Sequence, residues 1–257
     1  MHAAITIWNK QLLKLSPEET FGLLLQPILW VVLFGVGMKG LIGQGLPSDD
    51  NFYISFMAPG IIAFSALGGA IAGGSIWLDE RRRGIVNEYL VAPISRLSIL
   101  RRNARTIVTT TLFQARVLII VALRKGSAIA VDPIGWIGGM LLVGGFGLGF
   151  AGIALAVASK TTEPGAYHAL IFLLNLPLLF LSTALYPLEA LPRWMQIGAQ
   201  INPTSYVVDG LRRLVFEDGL SMAGDDVLPL WSCFLAIGLF ASLGMGLAYS
   251  AFRSAVE

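Results

Sequence analysis

The chain has 257 residues, 55% of them apolar and only 13% charged, roughly half the charged share of a soluble domain. This composition excludes a disordered chain and argues against an ordinary soluble enzyme, and the mean hydropathy of +0.72 agrees. A net charge of +2 gives no reason to expect nucleic acid, and with one cysteine (Cys233) and two histidines (His2, His168) there is neither an intrachain disulfide nor a Cys- or His-based metal site to expect.

The chain opens on an amphipathic stretch. Ile5, Trp8, Leu12 and Leu15 recur at helical steps, with Asn9, Lys10, Gln11 and Lys14 on the other side. Residues 1–19 therefore read as a helix lying in a membrane interface, lysines toward anionic headgroups. Ser16, Pro17 and Glu19 then form a capping-box start for the next helix.

Six apolar runs approach the ~20 residues a helical span needs: Phe21–Ile42, Tyr53–Leu78, Thr106–Leu123, Gly135–Ser159, Gly165–Leu185 and Val227–Phe252. None alternates as barrel strands do. The first run has no small-residue cleavage site after a short apolar core, so it is expected to be retained. The fold expected is an all-α membrane protein forming one transmembrane domain over residues 1–257. The Lys/Arg asymmetry sets its orientation. Seven arginines (Arg81, Arg82, Arg83, Arg96, Arg101, Arg102, Arg105) fall in the connection 79–105, whereas Gly43–Phe52 has none and carries Asp49 and Asp50. Both termini are then cytoplasmic.

Two connections are not ordinary loops. Asp79–Arg105 mixes charge with Ile85, Val86, Tyr89, Leu90 and Ile94, which suits a cytoplasmic docking surface for another protein. Tyr186–Phe216 carries Pro187, Pro192 and Pro203, so it is too broken to span and too apolar to be freely solvated. Short helices that dip into the outer leaflet and return fit it, because irregular backbone at that depth must be covered by protein or line a cavity. The segment Asp218–Pro229 reads as an outer loop.

Within the spans the outlier is Arg116, roughly 15 Å from the start of Thr106–Leu123 at about 1.5 Å per residue. A charge at that depth faces protein or water. Either Arg116 lines a pathway, or the span is misplaced and Arg116 snorkels to an interface with Arg124 and Lys125. Gln26, Gln114, Asn175 and His168 are expected to hydrogen-bond between helices, and Gly135/Gly139 and Gly145/Gly149 to allow close helix contact. Residues 147–152 match G-x-G-x-x-G, but inside an apolar run with no preceding strand, which points to packing rather than dinucleotide binding.

Three stretches together resemble a known family. They are Gln26–Gly35; Met57–Gly60 leading through Glu80–Gly84 to Tyr89–Arg96; and Phe180–Pro192 followed by Asn202-Pro203 and Leu211-Arg212. In this order against six spans they resemble the type-2 ABC exporter permeases, above all the small permeases of drug-resistance and polysaccharide-export systems. The resemblance implies a membrane subunit of an ATP-driven exporter in the cell's inner (plasma) membrane. It would pair with a second permease, as homodimer or heterodimer, above separate ATP-binding subunits, and move a lipophilic drug, lipid or glycan outward. Residues 79–105 would hold the coupling helix, with Glu80, Gly84, Glu88, Tyr89, Pro93 and Arg96 as coupling candidates. Arg116, Gln26 and Asn175 are pathway candidates. Residues 186–216, with Pro187, Pro192, Asn202 and Pro203, would form re-entrant helices, and the N-terminal helix would also touch the ATP-binding subunit.

The chain has no Walker-type G-x-x-x-x-G-K-[ST], so ATP is expected on the partner, with no cofactor and no enzymatic chemistry here. A membrane enzyme would need clustered ionisable residues in the spans. A stand-alone secondary transporter would need intramembrane acids, which are missing. A non-transporting scaffold is the remaining alternative.

Overall fold

The computed structural model describes residues 25, 27–29, 52–85, 96–124, 132–216 and 227–256. These form helices and turns, with no strand among the described residues. In chain order they are α1 (Phe52–Arg82), α2 (Arg96–Arg124), α3 (Pro133–Lys160), α4 (Pro164–Phe180), a 3₁₀ turn (Leu188–Ala190), α5 (Arg193–Ile201), α6 (Pro203–Leu214) and α7 (Leu230–Val256). Four helices are long and apolar enough to cross a membrane, over Ser55–Arg82, Ser98–Arg124, Pro133–Lys160 and Leu230–Arg253, and α4 is a shorter apolar helix. The N-terminal amphipathic stretch and nearly all of the first expected span lie outside the described residues.

Helix α3 is the centre. Asp132 caps its start, accepting from the backbone of Ile134 (3.1 Å) and Gly135 (3.0 Å), with Pro133 at the first helical position. Its glycine-rich face packs on α7: a Cβ at Gly145 would lie 2.8 Å from Ile237, at Gly149 2.3 Å from Phe240, and at Gly152 2.1 Å from the Gly244 backbone. Gly139 and Gly135 meet α6 in the same way, against Val215 just past its end and the Leu214 carbonyl. The small residues seen in the sequence therefore do bring helices together, and the G-x-G-x-x-G run is a packing face. Phe146, Phe150 and Phe240 fill the seam beside them, with centroids 4.8 Å and 4.9 Å apart along the chain of contacts.

Several span boundaries differ from expectation. Helix α2 begins at Arg96, not near Thr106, and α1 continues to Arg82, so the segment between them is shorter than 79–105. The arginine-dense start of α2 falls within the connection that the sequence marks between two spans. It is helix because Ile99, Leu100 and Asn103 are buried there and Arg102 finds a carboxylate partner. Helix α1 stops at Gly84, whose φ of 76° is the left-handed conformation that glycine adopts freely, and its amide donates to the Arg81 carbonyl (3.1 Å). The fifth run was expected to reach Leu185, but α4 ends at Phe180 and residues 181–186 turn. Asn202 stabilises that break by donating to the carbonyls of Leu178 (2.8 Å) and Leu181 (2.5 Å).

Candidate functional site

The polar residues gather at the two ends of the bundle. Residues 56 and 80 of α1 lie in one and the other, about 36 Å apart at the α-helical rise.

One end is arginine-rich. Glu80 on α1 and Arg102 on α2 form an ion pair at 2.6 Å, with the Arg102 side chain 5% exposed and that of Glu80 16%. The same guanidinium donates to Oδ1 of Asn103 at 3.0 Å. Next to Glu80, Arg81 points to the end of α3, where it donates to the carbonyls of Ala158 (3.3 Å), Ser159 and Thr161 (3.3 Å). These are the carbonyls a helix leaves unsatisfied at its C-terminus, and a cation there also meets the negative end of the helix dipole. Trp77, one turn earlier, donates from Nε1 to the Ser159 hydroxyl at 3.2 Å and stacks 5.6 Å from Phe252 of α7. The ends of α1, α2, α3 and α7 are thereby tied around the connection that the sequence marks for docking. Of the coupling candidates, Glu80 is in this cluster, Gly84 ends α1 and Arg96 starts α2, whereas Glu88, Tyr89 and Pro93 lie outside the described residues.

The opposite end holds the short helices. Pro187 precedes the 3₁₀ turn, Pro192 stands just before the first residue of α5, and Pro203 takes the first position of α6, each where a missing N–H costs no helical hydrogen bond. Asn202 caps α6 by accepting from Thr204 N (2.9 Å) while its amide holds the end of α4. On the buried face of α6, Asp209 and Arg212 pair at 3.2 Å, their side chains 2% and 0% exposed. Arg212 also donates to the carbonyls of Thr183 (2.8 Å) and Phe56 (3.2 Å), and lies 4.0 Å over the Phe56 ring. Thr183 donates its hydroxyl to Asp209 at 2.8 Å. One buried charge pair thus joins α6, the turn after α4, and the start of α1. The sequence drew attention to Arg212 only as part of a resembling stretch, and to Asp209 not at all. The available signal was their spacing: an acid and a base three apart share a helix face.

The two pathway candidates among the described residues, Arg116 and Asn175, are not brought together. Arg116 lies on the exposed side of α2, beside Phe113 and Ile120. Since the candidate span runs from Ser98 to Arg124, Arg116 is about 12 Å from its far end rather than at its middle, which favours snorkelling. Asn175 is half-buried on α4, its Oδ1 without a hydrogen-bond partner, and it edges a small cavity with Leu67, Phe150 and Ile171. Oε1 of the buried Gln114 also has no partner, and His168 is exposed, its ring 5.3 Å from Tyr167. The expected helix-to-helix hydrogen bonds of Gln114 Oε1 and Asn175 Oδ1 therefore do not form among the described residues. Gln26 lies outside the described residues.

Comparison with known proteins fits this architecture. Residues 3–216 match the family model described as ABC-2 type transporter. The chain is 35% identical over 212 residues to "Putative transport permease ycf38" of Porphyra purpurea, across 81% of this chain and 69% of that one. It is 33% identical over 208 residues to the protein of the same name in Cyanophora paradoxa, across 79% and 69%. It is 22% identical over 242 residues to the daunorubicin resistance ABC transporter permease protein DrrB1 of Streptomyces coeruleorubidus, across 94% and 83%. The breadth of these matches over an all-helical chain rich in membrane-length helices shows that it belongs to the ABC-2 type transporter family, as a membrane permease subunit.

Proposed function

We propose that this permease subunit moves a lipophilic drug, a lipid or a lipid-linked glycan outward across the plasma membrane, driven by ATP that a separate ATP-binding subunit hydrolyses. It pairs with a second permease subunit, as homodimer or heterodimer, has both termini in the cytoplasm, and binds no cofactor of its own. The names of relatives such as DrrB1 support a drug-like substrate. The exposed apolar side of α4, with Leu170, Phe172, Leu173 and Phe180, supports a second subunit facing it.

The observation that carries the reading is the bracing of α1 at both ends. Glu80 and Arg81 tie one end to α2 and α3, and the Phe56 carbonyl ties the other to α6 through Arg212. A push received at the arginine-rich end would move α1 as a rigid rod and so shift the short helices at the far end. In this reading residues 186–216 are the re-entrant outer closure, and the ATP-binding subunit docks on the connection carrying Glu88, Tyr89 and Pro93. Asp209 is the one fully buried carboxylate among the described residues, and its pairing with Arg212 suits it poorly to the proton or sodium coupling of a stand-alone secondary transporter.

The test is to co-express the chain with a candidate ATP-binding-cassette subunit and measure co-purification and substrate-stimulated ATPase activity. A stable complex whose stimulation falls in Glu88→Ala and Pro93→Ala supports the reading. A permease that purifies alone with every ATPase tried returns weight to a scaffold or secondary transporter.

A further inference from the structure

Helices α2, α3 and α7 leave an apolar groove of about 800 Å³ on the side of the bundle. Its walls include Val108, Leu112, Leu141, Leu148 and Met245, and at its arginine-rich end stand Arg101 and Arg105. The groove is open where α3 has no side chain: a Cβ at Gly144 would meet only Val108 at 3.8 Å and Leu112 at 3.7 Å. Thr109, also in the wall, turns its hydroxyl back to the Arg105 carbonyl at 2.8 Å, so it adds no free polar group. From Arg101 to Leu112 the groove runs about 16 Å along α2. That is about half of a ~30 Å hydrocarbon core, the depth of one leaflet.

The two arginines set its occupant. Arg101 and Arg105 are four residues apart on one helix face, where like charges repel. Both are exposed, and neither has a carboxylate partner among the described residues. Arg102, between them, turns inward to Glu80 instead. A pair of outward guanidiniums over an apolar, leaflet-deep groove lacks one thing, an anion carrying a hydrocarbon tail.

We propose that this groove binds an anionic glycerophospholipid as a resident lipid, its phosphate bridging Arg101 and Arg105 and an acyl chain lying along Val108, Leu112 and Gly144. A phosphate accepts charge-assisted hydrogen bonds from both arginines at once, and an acyl chain fills the groove by van der Waals packing against its apolar walls. The site rests on α2, α3 and α7 spanning a membrane, and not on an ATPase partner.

The experiment uses the full-length permease alone, purified in mild detergent, with phosphatidylglycerol as the probe and native mass spectrometry as the readout. Arg101→Gln with Arg105→Gln should weaken phosphatidylglycerol binding by roughly thirtyfold. Gly144→Leu should block the groove and weaken it with the arginines intact. Leu141→Trp, at an exposed wall position, does the same should Gly144→Leu fail to fold. Arg116→Gln, an exposed arginine outside the groove, should leave binding unchanged. The proposal is overturned if the double arginine variant retains the lipid, or if loss is equal for Arg116→Gln. It is also overturned if blocking the groove has no effect, or if glycerol phosphate competes as well as the whole lipid, because the site would then bind an anion and not a lipid. Since no ATPase is present, these outcomes stand apart from the success or failure of the exporter reading.

Discussion

Arg212 of α6 reaches the backbone carbonyl of Phe56 on α1 at 3.2 Å and lies 4.0 Å over the ring of the same residue. With Asp209 at 3.2 Å it forms the most buried charge pair among the described residues. Removing one partner leaves the other uncompensated. Arg212→Met should therefore destabilise the permease by about 3–5 kcal/mol, read as a large drop in melting temperature in detergent. Asp209→Leu added to it should recover much of that loss, since an apolar pair carries no stranded charge. Arg212→Lys should not rescue, because an ammonium cannot serve two carbonyls and a carboxylate in the planar arrangement seen here.

The arginine-rich end makes a separate prediction. Glu80→Ala leaves the nearly buried Arg102 with Asn103 in place of a carboxylate. A loss of about 1.5–3 kcal/mol is expected, as for other hydrogen bonds to a charged group. In a double-mutant cycle with Arg102→Met the two effects should fall well short of additive. Additive losses would mean that the two side chains act independently.

Arg81 closes the end of α3 by donating to three carbonyls. Arg81→Met should lower the melting temperature, and hydrogen exchange should rise in the last turn of α3 before it rises elsewhere. Uniform exchange along α3 would show that the cap contributes nothing local.

Glycine positions can be sorted by what a methyl group would meet. At Gly152 it would lie 2.1 Å from the backbone of Gly244, whereas at Gly246 it would meet nothing within 4 Å. Gly152→Ala should cost about 1–3 kcal/mol by forcing α3 and α7 apart. Gly246→Ala should be neutral or stabilising by up to about 1 kcal/mol, because alanine is the better helix former. Equal effects at the two sites would mean that α3 and α7 do not approach as described.

Arg116 is exposed on α2 and near one end of its span. Arg116→Gln should leave the melting temperature and the substrate-stimulated ATPase activity of the assembled complex unchanged, as expected for a snorkelling side chain. A changed substrate response would move Arg116 into the pathway.

Much of this protein is legible in its sequence because the bilayer limits the choices so strongly. Long apolar runs must be helices there, since every backbone group has to be satisfied within the segment. The helical runs around Tyr53, Gly135 and Val227, the glycine faces of α3, and the proline starts of α5 and α6 follow from local chemistry that single stretches carry. The family was legible too, from three separated stretches in order. Tertiary structure alone decided the rest. That Arg102 is buried and helical depends on Glu80, remote in the chain. That α4 ends at Phe180 depends on Asn202 taking the carbonyls released there. That Arg101 and Arg105 face outward over an open groove, while Arg102 between them faces in, depends on how α2 rotates against α1 and α3. A sequence displays the charge of each of these residues, but its partner is chosen by packing, and in a low-dielectric bundle the partner determines whether that charge braces a helix, caps it or waits for a ligand.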